Sequence, residues 1–64
     1  MAGTELREAL IDKDIDSLRR LRARCVRGDR KYRVITRRLF LLVSYLDEIN
    51  PAAAENQRRL ESRV

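Results

Sequence analysis

Apolar residues recur along this chain at helical spacing, and no stretch alternates with the period of a strand. Leu10, Ile11, Ile15, Leu18, Leu21, Cys25 and Val26 share one face of a first helix. Thr4 is placed to cap that helix, and Glu5 and Glu8 suit the positive end of its dipole. Gly28 interrupts the pattern and Asp29 follows as a second cap, so Arg27-Gly28-Asp29-Arg30 reads as a stop and a restart. A connection this short predicts antiparallel neighbours.

The second helix carries the clearest pattern. Tyr32, Ile35, Leu39, Leu42, Leu46 and Ile49 are spaced 3, 4, 3, 4 and 3 apart, an a/d seam expected to form the core or a dimer contact. Val34, Leu41 and Tyr45 make a second row, and Phe40 and Val43 widen the apolar surface. A helix apolar on several sides must touch more than one neighbour. Helix 1 supplies one; helix 3 or a second copy of the chain must supply the other. Asn50-Pro51 ends helix 2 and opens the third, with Pro at its first position. There Ala53, Gln57, Leu60 and Val64 share a face, and so short a helix is expected to dock weakly.

The predicted fold is all-α in a single domain, 1–64, with helices at about 4–27, 30–49 and 51–63. It is an antiparallel helical hairpin plus a short third helix, expected to dimerise into a four-helix-like bundle. Length supports the dimer: a chain near 60 residues buries only about 60% of its unfolded surface. Cys25 is the lone cysteine and histidine is absent, so neither an internal disulfide nor a metal cluster is available as a staple. No apolar run approaches the ~18 residues of a membrane span, and Met1 to Glu5 does not read as a secretory leader. The expectation is an intracellular protein, cytoplasmic or nuclear, with no membrane contact.

Charge changes the picture. Ten of the 15 basic residues fall in the window 19–38, where Asp29 is the only acid. The window therefore carries +9 and the rest of the chain −4, which together give the net +5. Such concentration of like charge repels itself and suits an anionic partner. Nine of those ten cations are arginine, whose planar fork matches phosphate oxygens. The residues expected to contact nucleic acid are Arg19, Arg20, Arg24, Arg27, Arg30, Lys31, Arg33, Arg37 and Arg38. Arg20, Arg24 and Arg27 form a row on helix 1; Arg30, Arg33 and Arg37 form one on helix 2. Folding back at Gly28 would gather these rows at one end, with Glu5, Glu8, Asp12, Asp14, Asp16, Asp47, Glu48 and Glu55 toward the other. Cations also open helix 2 and acids close it, against its dipole, which an anionic ligand would explain.

Arg22 and Asp14 project on the apolar side of helix 1. Arg22 is expected either to snorkel or pair with an acid across an interface, or to lie in a groove on a face shared by two subunits and point at the ligand. Arg38, between the two apolar rows of helix 2, is a second candidate for an interface or groove.

Other chemistry finds no support. Without histidine or a glycine-rich phosphate loop, no catalytic residues, cofactor or small-molecule substrate are expected. Asp12, Asp14 and Asp16 open like a calcium loop, but Ser17 and Ala23 stand where Gly and Glu are required. Arg27-Gly28-Asp29 matches an adhesion tripeptide in letters, and Gly28 has sufficient reason in the turn. Glu5-Leu6-Arg7-Glu8 and Ile15-Asp16-Ser17-Leu18-Arg19 resemble the first helix of chorismate mutases, a pattern the later helices do not continue.

Few aromatics argue against a single-strand binder. Helix 2 is too apolar for a DNA recognition helix, whereas RNA's narrow major groove leaves backbone contacts of the kind offered here. Duplex RNA, read by phosphates and shape, is favoured over DNA. The plan is similar to that of small helical viral proteins that bind duplex RNA and hide it from host silencing. The competing expectations are a protein-interaction module gripping a partner helix or an acidic surface, and a small DNA-binding regulator.

Overall fold

Helices α1 (Ala2–Ala23), α2 (Arg30–Ile49) and α3 (Pro51–Ser62) carry the regular structure of the chain, in a computed structural model that describes residues 2–63. No strand occurs among the described residues. The all-α expectation holds, and the bounds of α2 coincide with those predicted.

The first helix differs at both ends. Thr4 is not its cap but lies inside it, because Ala2 and Gly3 already adopt helical backbone. Its regular turns stop at Ala23, four residues before the expected end, where the hydrogen bonds tighten. The Arg24 N–H donates to the Leu21 carbonyl at 3.1 Å, and the Cys25 N–H to that of Arg22 at 3.0 Å. Arg24 and Arg27 therefore lie in the connection rather than on a helical row with Arg20. Gly28 has φ +89°, in the left-handed region that glycine enters at little cost. A Cβ there would meet no atom within 4 Å, so Gly28→Ala should cost only the backbone strain, about 1–2 kcal/mol, read as a lower denaturant midpoint with an unchanged slope.

Asp29 occupies the cap position of α2 with extended backbone, but its side chain makes no capping hydrogen bond. Asn50 caps α3 as expected: its Oδ1 accepts from the Ala53 N–H at 3.3 Å. The Asn50 side-chain amide also donates to Glu8 Oε1 at 3.0 Å, tying the start of α3 to α1.

The a/d seam of α2 is the core of the chain itself. Ile35, Leu39, Leu42 and Leu46 are buried, with Val43 beside them and Tyr32 and Ile49 half-buried. They pack with Ile15 of α1 and Ala54 of α3, and Ile11, Leu18, Cys25 and Ala53 close the edges. Contacts pair late α1 with early α2 and early α1 with late α2: Leu21 and Cys25 line a cleft with Val34 and Ile35, and Leu10 and Ile11 one with Tyr45 and Ile49.

The third helix docks by a face turned partway from the one expected: Ala53 and Gln57 face inward as predicted, but Glu61 stands where Leu60 was expected. Ala54 is fully buried, Ala53, Gln57 and Glu61 are half-buried, and Leu60 is exposed. Val64, the last member of the predicted face, lies outside the described residues. The rotation has a polar cause: Glu61 turns inward to two arginines of α1.

Candidate nucleic-acid interface

The structure divides the basic window in two. Arg19 and Arg22 point along the core face of α1 toward α3, whose backbone stays more than 8 Å from that of α1 at every Cα pair. Their long side chains bridge the gap. Arg22 is 5% exposed and grips Glu61 as a fork: Nη1 donates to Oε2 at 2.7 Å and Nη2 to Oε1 at 2.5 Å. Its Nη1 also donates to Thr36 Oγ1 at 3.1 Å, and its guanidinium carbon lies 5.4 Å from the centre of the Tyr32 ring. The Thr36 hydroxyl donates in turn to the Tyr32 carbonyl at 2.9 Å.

Arg19 completes the cluster. Its Nη1 donates to Glu61 Oε1 at 2.8 Å, while Nη2 donates to the Gln57 carbonyl at 3.0 Å and to Gln57 Oε1 at 3.1 Å. The hydrogen bond from Arg22 is the largest influence holding the Glu61 carboxyl below its ordinary pKa, outweighing the burial that would raise it. Arg22 is raised by the same hydrogen bond. Of the two readings of Arg22, the structure places it against an acid, within its own chain. Arg19, expected among the phosphate contacts, is turned to the same acid. Gln57 was among the residues expected on the docking face of α3, but Glu61 escaped sequence reasoning; its i, i+4 spacing from Gln57 was the available signal, and Leu60 outcompeted it as an apolar marker.

The other cations remain outside. Arg20, Arg24, Arg27, Arg30, Lys31, Arg33, Arg37 and Arg38 are all exposed. Arg20 pairs with Asp16 at 3.1 Å across one helical turn, but both side chains are open to solvent, so the pair contributes little. Among the described residues, no ion pair engages Arg24, Arg30, Lys31, Arg33, Arg37 or Arg38. Arg24 and Arg27 lie in the connection and Arg30 and Lys31 open α2, so four cations flank the Gly28 turn directly. Arg33 and Arg37 continue along α2. The first turn of α2 holds no acid and its last turn no base, so its positive end stays surrounded by positive charge.

Asp47 and Glu48 close α2, where Asp47 pairs with Arg58 of α3 at 3.6 Å; on α1, Asp12 is raised above its ordinary value by burial and by Glu8. No group of three or more His, Cys, Asp or Glu among the described residues could hold a metal ion, and no helix is long and apolar enough to cross a membrane. Compared with protein-family models, curated proteins and solved structures, the chain finds no match.

Proposed function

We propose that this chain binds nucleic acid without transforming it, and that duplex RNA is its preferred ligand. The helical hairpin presents its basic turn to phosphates, and a homodimer supplies two such turns. One observation carries the reading: although Glu61 takes Arg19 and Arg22, Arg24, Arg30, Lys31, Arg33 and Arg37 stay exposed on the two sides of the turn, with Asp29 as the one acid in the window. Cations crowding the positive end of α2 are unfavourable for the free chain and favourable once phosphate arrives. No row of exposed aromatics accompanies them, which favours backbone contacts over base stacking.

Titration of duplex RNA, duplex DNA and single strands across a salt series tests the proposal. Duplex RNA should bind tightest, with affinity falling steeply as salt rises. Arg20→Ala combined with Arg24→Ala should flatten the log–log salt slope by about 0.9 for each phosphate no longer neutralised, for all duplex sequences alike. Arg19→Ala should lower thermal stability and leave that slope unchanged, since its guanidinium already faces α3. Affinity insensitive to salt would point instead to an apolar protein partner and end the reading.

A further inference from the structure

Only one side of the α1–α2 layer is covered. α3 occupies the side to which Glu8, Arg19 and Arg22 reach. On the other side Leu10, Leu21, Val34, Leu41 and Tyr45 are each at least half exposed. Two clefts between α1 and α2 open there, one at the turn and one at the far end, and no α3 residue lines either. These five are among the nine large apolar side chains left exposed among the described residues, and a contiguous apolar face of this kind marks an interaction site.

The order of residues on this face names the occupant. Along α2 it reads Lys31, Val34, Arg38, Leu41, Tyr45 and Glu48, spaced 3, 4, 3, 4 and 3, and every one is exposed. This is a second a/d seam with a cation at one end and an acid at the other. Reversed, it complements itself: Lys31 meets Glu48, Val34 meets Tyr45, and Arg38 meets Leu41. Asp14 of α1 and Arg38 lie on opposite sides of the middle of the face, so end-over-end pairing also brings Asp14 level with the partner's Arg38. The same orientation sets the basic turn of each copy over the acidic end of the other, whereas side-by-side pairing would stack two basic turns.

We propose that this face binds a second copy of the chain end over end, α2 against α2, with the α3 helices outermost. The contact is isologous, as a closed dimer requires. It deepens the homodimer of the reading above, takes Lys31 and Arg38 into the interface, and leaves the rest of the basic turn to face phosphate. It also places the two basic turns at opposite ends of the particle, about 30 Å apart along a 20-residue α2.

Sedimentation of the full chain without nucleic acid tests the face. The unaltered chain should be dimeric in the micromolar range, and Leu41→Glu monomeric with unchanged helicity, because Leu41 is 51% exposed. Lys31→Glu should weaken the dimer about tenfold by removing two ion pairs, and adding Glu48→Lys should restore it. Cross-linking tests the orientation in a Cys25→Ser background. Val34→Cys mixed with Tyr45→Cys should form a disulfide between chains that neither variant forms alone. A monomeric unaltered chain, a Leu41→Glu dimer, or like-with-like cross-links would overturn the proposal. A monomer that still shifts duplex RNA would reject this interface alone; a dimer that binds no nucleic acid would reject the functional reading alone.

Discussion

Glu61→Ala should lower the melting temperature by about 10–20 °C. The substitution strands Arg22, whose guanidinium is buried between α1, Tyr32 and Thr36, and releases Arg19 from the same carboxylate. Leaving a buried charge without its partner costs several kcal/mol; Glu61 itself is about one-third exposed, which lets water relieve part of the loss, so about 2–4 kcal/mol is expected. A chain of 64 residues has only some 3–10 kcal/mol in hand, and each kcal/mol shifts its melting point by about 4–8 °C. Arg22→Met combined with Glu61→Leu should recover part of the loss, since the most buried charge is gone and Arg19 keeps its hydrogen bonds to Gln57. An unchanged melting curve for Glu61→Ala would show that the cluster does not hold α3.

Acid should mimic the substitution. Glu61 is held below its ordinary pKa in the folded chain, so its contribution is complete above that ordinary value. It is lost as pH falls through the folded value. Thermal melts below about pH 4.5 should therefore fall more steeply for the unaltered chain than for Glu61→Gln. Asp12 is shifted upward and works in the opposite sense, but both chains carry it equally.

Leu42→Glu should abolish the fold. Leu42 is 7% exposed among Ile35, Leu39, Leu46 and the residues of α1, with no cation in the core cluster to meet a carboxylate. Removing a buried leucine costs about 2–5 kcal/mol, and burying an unpaired carboxylate adds several more, together exceeding the stability expected of so small a chain. Far-ultraviolet circular dichroism should show the helical signal lost. The neighbouring Leu41→Glu should retain it. Opposite outcomes at adjacent positions separate the inner seam from the outer one; a folded Leu42→Glu would refute the placement of the core.

Periodicity together with its punctuation marks, Gly28 and Asn50-Pro51, located α2, because all of these are local signals. The same reasoning failed at the ends of α1. Helical spacing continues through Cys25 and Val26, but spacing does not measure where hydrogen bonding gives way. It also misplaced one edge of the α3 face, naming Leu60 beside Ala53 and Gln57 where Glu61 turns inward. Leu60 marks that face by hydropathy, whereas the helix is turned by Glu61, an acid whose partners stand 39 and 42 positions earlier in the chain.

Residues within a few positions of one another dictate the helices, the turn at Gly28 and the charge concentrated around it, so all three are legible along the chain. Tertiary structure decided which seam of α2 is core and which is left open, and which arginines are engaged inside the chain. Those outcomes depend on the direction in which side chains from distant helices meet. A guanidinium buried against a carboxylate and one awaiting a phosphate carry the same letter and the same charge; only the neighbour distinguishes them.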